Sequence, residues 1–414
     1  MRQQRFLPIY AAKMRTFRPR PPKNKTPLWR FVFWKQSVVF FMHPVYYRAM
    51  IETITLTDFR NHKSCRIQTH GRHNVIITGP NGAGKTAVLE AISMLSGDRG
   101  LRGAPMTDIA RFGGDGGFSV HAVLNDDTEI SVYFSAGDTN RRARLDGDNA
   151  TLSALQSQLR TVWLTPREDR LFVDAASERR SFFDRLAGSF DATHSGRVAR
   201  FAKLMSERAF ALKNGNDVRW LDALDAQIAG VAVSVADARI RYAGELNYFL
   251  TDYAVTVTGM VEQMLIDSKP ASVAEREYLN YLHGARELIG DKMVVDGPHK
   301  SDFGVLNKKL NLPAALTSTG QQKMALLALI LAHATLLHTK THRQPLILLD
   351  EAAAHLDADA RAGLFRELAA ADAQVWATGL DANVFADVPN AVFVTCKDGE
   401  INNILVPGNT DEQN

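Results

Sequence analysis

Beyond residue 50 the chain switches between two apolar periods. Ile51, Ile54, Leu56 and Phe59 are spaced as a strand of mixed alternation, and a second short strand falls near Arg66–Thr69. Val75–Thr78 is a β-branched run bounded by Gly79, which predicts a buried strand. Ala87, Val88, Leu89, Ala91, Ile92 and Leu95 then recur at helical spacing. A glycine-rich connection runs from Gly97 to Gly117. After it, Phe118–Leu124 and Glu129–Phe134 each alternate around Asn125-Asp126-Asp127, which predicts a β-hairpin. From 161 to 315 the period is mainly helical: Ser177–Leu186 with Ser177 as N-cap, then Phe201–Lys213 and Trp220–Leu250. None of these stretches carries the sustained heptads of a long coiled coil. Met324–Leu337 predicts a strongly apolar helix that Ser318 or Thr319 can cap. Pro345–Leu349, Val375–Gly379, Val392–Val394 and Ile401–Val406 predict the strands that close the sheet.

The stretch between the strand at 75–78 and the following helix is Gly79-Pro80-Asn81-Gly82-Ala83-Gly84-Lys85-Thr86, which fits the phosphate-loop pattern G-x-x-x-x-G-K-[ST]. Glycines let the backbone curl so that its N–H groups face a phosphate, and the helix N-terminus adds partial positive charge. Lys85 is then placed to reach the β/γ-phosphates, and the Thr86 hydroxyl to ligate Mg²⁺. The apolar strand Pro345–Leu349 ends in Asp350-Glu351. A carboxylate there holds Mg²⁺ directly or through water, and Glu351 can polarise an attacking water as general base. Ser318-Thr319-Gly320-Gln321 opens the apolar helix and offers a second anion site at its N–H groups. Val375–Gly379 ends in a small polar turn that faces a γ-phosphate in folds of this kind. An antiparallel hairpin beside a phosphate loop departs from a simple nucleotide kinase and fits the two-sheet layout of ABC-type ATPases.

Charge changes the picture once it is divided along the chain. The 414 residues carry a formal net charge of +4. Residues 1–49 hold 11 of the 49 Lys and Arg and no Asp or Glu. The other 38 basic residues face 45 acidic ones, a net of −7, so any contact with nucleic acid must come from a local patch. The Pro-rich, basic and aromatic segment 1–49 reads as an extension ahead of a natural start at Met50, or as a transit peptide, and is set aside from the fold. Between 141 and 200 every basic residue is Arg, which suits either phosphate recognition or a solvated face paired with Asp174, Glu178 and Asp184. Two distant cysteines, Cys65 and Cys396, predict no disulfide framework and fit a reducing cytoplasm. No run approaches the roughly 18 consecutive apolar residues of a membrane span.

Five features occur in order: Asp58-Phe59-Arg60-Asn61; the loop Gly79–Thr86; Arg179-Arg180 with Phe182 and Asp184; the turn Gly297–Asp302; and Ser318-x-Gly320-Gln321 followed by Leu348-Leu349-Asp350-Glu351. Together they cover residues 50–414 and resemble the RecF family of bacterial recombinational-repair ATPases, relatives of SMC-type heads and more distantly of ABC ATPases. The resemblance implies an ATP-dependent DNA-binding protein of recombinational repair and replication restart with weak DNA-stimulated ATPase activity. It would dimerise on ATP, bind duplex and single-strand/duplex junctions, and act with RecO and RecR to promote RecA loading in the cytoplasm. By the same resemblance Arg60 and Asn61 lie near the nucleotide. Ser318, Gly320 and Gln321 contact the γ-phosphate of ATP held by the other subunit, and His355-Leu356-Asp357 crosses the dimer interface. Two departures stand out. Lys300-Ser301 replaces the usual Arg and acidic or small residue, and Arg167-Glu168-Asp169 follows Pro166, leaving open which carboxylate there approaches the metal.

The expected architecture is an α/β, ABC-type phosphate-loop ATPase head. Two β-sheets surround the loop helix, a mostly helical second lobe is added, and there is no long coiled coil. The first lobe spans 50–160 and 336–414, and the helical lobe with the Ser318 signature spans 161–335. An ABC transporter ATPase subunit is the alternative function; its L-S-G-G-Q-like signature is replaced here by Ser-Thr-Gly-Gln-Gln. An SMC-like structural head would need long coiled-coil arms.

Overall fold

A computed structural model describes residues 49–405 apart from 98–99, 216, 268–269, 287–294, 352, 355 and 371–372. The basic segment 1–48 and the expected strand end at Val406 lie outside the described residues. In chain order the first elements are β1 (Ile51–Phe59), β2 (His62–Gln68), β3 (Asn74–Thr78), α1 (Lys85–Leu95), α2 (Met106–Ile109), β4 (Phe118–Leu124), β5 (Glu129–Phe134), β6 (Arg142–Leu145), β7 (Asp148–Ala150) and α3 (Leu152–Gln158). There follow β8 (Thr161–Leu164), α4 (Ala176–Phe190), α5 (His194–Lys213), α6 (Val218–Phe249), β9 (Tyr253–Thr258), α7 (Met260–Asp267), α8 (Ala271–Gly284), β10 (Asp302–Asn307) and β11 (Leu312–Pro313). The chain closes with α9 (Thr319–Thr341), β12 (Leu346–Leu349), α10 (Ala358–Ala370), β13 (Val375–Gly379), β14 (Ala391–Lys397) and β15 (Glu400–Leu405).

Two six-stranded sheets enclose α1. One is antiparallel in the order β2-β1-β4-β5-β6-β7, and the other, in the order β15-β14-β3-β13-β12-β8, is parallel except for β15. Strand periodicity explains the layering. On the parallel sheet Val75, Ile77, Leu346, Leu348 and Trp376 face α1 and the antiparallel sheet, whose Ile54, Leu56, Val120 and Ile130 complete that core. The intervening Ile76, Ile347, Leu349, Val375 and Ala377 face a second core that contains α9. A sheet covered on both faces needs apolar residues at every position, and β3 and β12 are buried throughout. Helix α1 is likewise buried nearly all round because it has a sheet on each side. By length and composition α9 could cross a membrane, but its apolar surface is spent on the core beneath the parallel sheet.

The second lobe is mostly helical, with a third core among α5, α6, α7 and α8. It also contains a three-stranded antiparallel sheet, β11-β10-β9, which the helical reading of 161–315 did not foresee. The strand β8 pairs in parallel with β12, so the nucleotide-side sheet reaches past the expected boundary at 160, and α9 runs through the one at 335. Ser177 is not the N-cap of α4. That helix begins at Ala176 with Ala175 ahead of it and no side-chain cap, so the backbone of Ser177 is already helical.

Ion pairs organise this lobe around Gly297–Asp302. Arg179 reaches both oxygens of Asp302 at 2.7 and 2.8 Å, and Arg180 donates to Ser301 O at 2.7 Å. Arg239 reaches both oxygens of Asp184 and donates to Pro298 O, while Ser301 Oγ donates to the buried Glu262 at 2.6 Å. Lys300 pairs with Asp296 at 2.7 Å. The polar turn is thereby a structural hub that ties α4 and α6 to β10. Its Gly297 is required sterically, because a Cβ there would stand 2.4 Å from the Tyr278 hydroxyl.

Burial pushes the Asp184 carboxyl up, but hydrogen bonds from His194 and Arg239 outweigh it and hold the group below the usual carboxylate range. A depressed folded pKa adds stability above the unfolded value of about 3.9, and that stability fades as pH falls below it. Asp184→Asn is therefore expected to cost about 3 kcal/mol at pH 7, where it leaves the buried Arg239 only the longer 3.6 Å ion pair with Glu262. The gap in melting temperature from the parent should narrow below about pH 4. Thermal melts at pH 7 and pH 3 check this; equal gaps at both would show that the carboxylate charge contributes nothing.

Candidate nucleotide-binding site

β3 ends at Thr78 and α1 begins at Lys85, so the loop between them must fold tightly against its neighbours. Gly79 has φ 147°, and a Cβ there would lie 2.0 Å from the carbonyl oxygen of Cys396 on β14. Gly84 has φ 110°, and a Cβ there would lie 2.5 Å from the His62 ring and 2.8 Å from Asn61 Oδ1. Only glycine tolerates both the backbone and the crowding. The loop's outer carbonyls are held from behind. Asn61 Nδ2 donates to Gly82 O at 3.1 Å, His62 spans Gly84 O and Gly399 O at 3.1 and 2.6 Å, and the Cys396 thiol donates to Ala83 O at 3.0 Å. Burial pushes the Cys396 thiol up to about 11, against the opposing effect of Lys85, so it keeps the proton it donates. Cys65 and Cys396 are both free, as the sequence predicts.

The functional side chains converge at the carboxyl ends of the parallel strands. Lys85 is buried, and its ammonium donates to Gly79 O and Pro80 O at 2.8 Å each. Thr86 Oγ1 lies 3.0 Å from both oxygens of Asp350, the residue after β12. Thr378 at the end of β13 donates to Asp350 Oδ1 at 2.6 Å and accepts from Glu351 N at 2.9 Å. The polar end of Val375–Gly379 thus fixes the two acidic residues. Glu351 has φ 50°, a conformation few non-glycine residues adopt, and it borders an open cleft of about 610 Å³. Arg60, Asn61, Asn81, Lys85 and Thr86 line the same cleft.

Arg60 is more constrained than a free phosphate ligand. Its guanidinium meets both oxygens of the fully buried Glu90 at 2.7 and 2.8 Å and donates to Asp108 O at 2.7 Å. Five cleft residues escaped the sequence reading because they sit in the glycine-rich connection, which has no periodicity: Arg102, Asp108, Ala110, Arg111 and the wholly exposed Phe112. Arg111 is anchored on Asp58 at 2.6 Å.

Ser318, Gly320 and Gln321 do not line this cleft. Ser318 is the N-cap of α9, with Gln321 returning the hydrogen bond as a capping box, and both side chains face solvent. His355 lies outside the described residues; beside it Leu356 is buried and Asp357 accepts from Ala360 N at 2.8 Å. Neither carboxylate after Pro166 is hydrogen-bonded to Thr86 or Asp350. Glu168 caps its own 3-10 turn and pairs with Arg185 at 3.2 Å, whereas Asp169 approaches Lys323 at 3.5 Å. In the arginine-rich stretch Arg167 pairs with Glu178 and Arg170 with Asp174, the paired surface that sequence reasoning allowed.

The family model described as RecF/RecN/SMC N terminal domain matches residues 50–403. A protein named DNA replication and repair protein RecF from Rhizobium etli (strain CIAT 652) is 36% identical over 373 residues, covering 86% of this chain and 99% of its own. One of the same name from Mesorhizobium japonicum is 38% identical over 369 residues, covering 85% and 97%. Among solved structures, that of the recombination mediator protein RecF-ATPrS in the RecFOR pathway superposes with a TM-score of 0.72 at 21% identity, over 86% of this chain and 98% of that one. An SMC head bound to the C-winged helix domain of ScpA gives a TM-score of 0.50 at 15% identity, over 86% and 98%. The head fold is common to both, and among the described residues no long coiled coil leaves it. On the sequence relationship, sustained over almost the full length of its relatives, the chain belongs to the RecF family.

Proposed function

We propose that the chain is an ATP-dependent DNA-binding protein of recombinational repair and replication restart, with ATP bound in the Gly79–Thr86 cleft. The observation that carries this reading is the meeting of Thr86 and Asp350 at 3.0 Å beside Lys85 and Glu351. A hydroxyl and a carboxylate supply hard oxygen donors, so Thr86 and Asp350 fit Mg²⁺, whose other positions phosphate oxygens and water would fill. The ion would neutralise charge on the phosphates when bound. Lys85 exchanges its two loop carbonyls for phosphate oxygens. The backbone N–H groups of the loop and of the first turn of α1 hold the remaining phosphate charge. Glu351 accepts a proton from the attacking water, and Thr378 keeps Asp350 and the Glu351 backbone in register.

Ser318, Gly320 and Gln321 complete the site in trans. Their position away from their own cleft, with Ser318 and Gln321 exposed, supports contact with the nucleotide of a second copy, so that two ATP molecules join two heads and hydrolysis releases them. Turnover is slow and stimulated by DNA. The protein works in the cytoplasm with RecO and RecR at single-strand/duplex junctions, where it promotes RecA loading.

Lys85→Ala is expected to lose ATP binding and ATP-dependent dimerisation in sedimentation; retention of both would overturn the role of the loop. Glu351→Gln should keep binding and dimerisation while turnover falls about 100-fold or more. Full turnover in that variant would remove Glu351 as the base. On the chain without residues 1–49, DNA affinity should fall steeply with salt and rise with ATP. Absent or salt-insensitive binding in every nucleotide state would sink the DNA half of the proposal.

A further inference from the structure

Lys323 is a buried cation that the reading above does not use. It lies on α9, five residues after the Ser318 cap, with 4% of its surface exposed. Its ammonium donates to Glu351 O at 2.9 Å and Ala354 O at 3.2 Å, and Asp169 lies 3.5 Å away as counter-charge. A lysine this deep is costly unless its charge is paired and its donors are satisfied. All the partners named here belong to the turn after β12 or to the 3-10 turn after β8, none to α9 itself.

We propose that Lys323 is the positioning residue for Glu351 and that it links the partner-facing end of α9 to the catalytic turn; this rests on Glu351 being the general base. Glu351 sits at φ 50°, which the surroundings must hold in place. Thr378 secures the N–H side of that residue and Lys323 secures its C=O side. With both sides tied, the Glu351 backbone is held at the border of the cleft. Because Lys323 lies in the same first turns of α9 as Gln321, five residues after the Ser318 cap, any displacement of the α9 start on engaging a second copy moves the group that holds Glu351. Arg would keep donors at this position, whereas Met keeps the length of the side chain and removes them.

The test compares Lys323→Met, Lys323→Arg, Glu351→Gln and the double variant Lys323→Met/Glu351→Gln in the full chain, measuring ATP turnover, ATP affinity and ATP-dependent dimerisation. For Lys323→Met kcat should fall about 10- to 100-fold, as for a displaced catalytic group, with ATP affinity within about twofold and dimerisation retained. Lys323→Arg should recover part of the loss. In the Glu351→Gln background Lys323→Met should cause no further fall, because both changes remove one function. Unchanged turnover in Lys323→Met beside an impaired Glu351→Gln overturns the proposal alone. So does a loss of ATP affinity as large as the loss of kcat, or full additivity in the double variant. Unchanged turnover in Glu351→Gln overturns the base assignment and the proposal with it. If Lys323→Met melts below the assay temperature, Asp169→Asn, which is 28% exposed, takes its place. It should lower kcat about threefold at unchanged ATP affinity; an unchanged kcat there overturns the proposal.

Discussion

Asp350 facing Thr86 across the end of a parallel sheet is the constraint on which the rest of the molecule depends. Neither residue can be placed by local structure. Thr86 is set by the loop and first turn of α1, and Asp350 by the end of β12. Their separation is fixed by β13, which lies between β3 and β12 and whose Thr378 reaches Asp350. The register pairs Ile77 with Thr378 and Leu349 with Ala377, so Asp350, the residue after β12, comes beside Thr378 at the edge that the loop after β3 also borders. That edge is where open α/β sheets bind ligands, and the burial of both sheet faces makes the edge rigid.

The second lobe meets the same constraint from the other side. Helix α9 packs against the parallel sheet through its apolar surface and carries the Ser318 cap at one end. The arginines at 179, 180 and 239 bind the Gly297–Asp302 turn to α4 and α6 instead of facing solvent, so the helical lobe is braced by charge as well as by apolar packing. Within the 141–200 stretch whose composition suggested phosphate recognition, Arg179 and Arg180 serve internal cohesion.

Where residues repeat a simple period or carry chemistry at fixed spacing, the sequence was readable. The loop Gly79–Thr86, the hairpin β4–β5, the apolar helix α9 and the Asp350-Glu351 strand end were all legible, because each is specified within about twenty residues. The three-stranded sheet β9–β11 was not. Tyr253–Thr258 follows a 32-residue helix and is only partly buried, so its alternation is weak, and its partner strand starts more than 40 residues later. β8 is four buried residues, too short to distinguish from a helix turn by period alone. Arg102 and Phe112 are brought to the cleft by long-range packing that no local pattern records. The Ser177 cap failed by two residues at a helix start, which is where local signals are least sharp.

The walls of the phosphate loop come from opposite ends of the chain. Asn61 and His62 support it from one side, and Cys396 and Gly399 from the other. At bacterial synthesis speeds of about 5–20 residues per second, some 15 to 60 s separate the emergence of the loop from that of its last wall. Until then Gly84 has its Asn61 and His62 wall, but Gly79 lacks the Cys396 carbonyl it packs against. A nascent chain on the ribosome therefore carries the motif long before the loop's surroundings are complete, and premature stops near the end would leave a head with one wall of the loop missing.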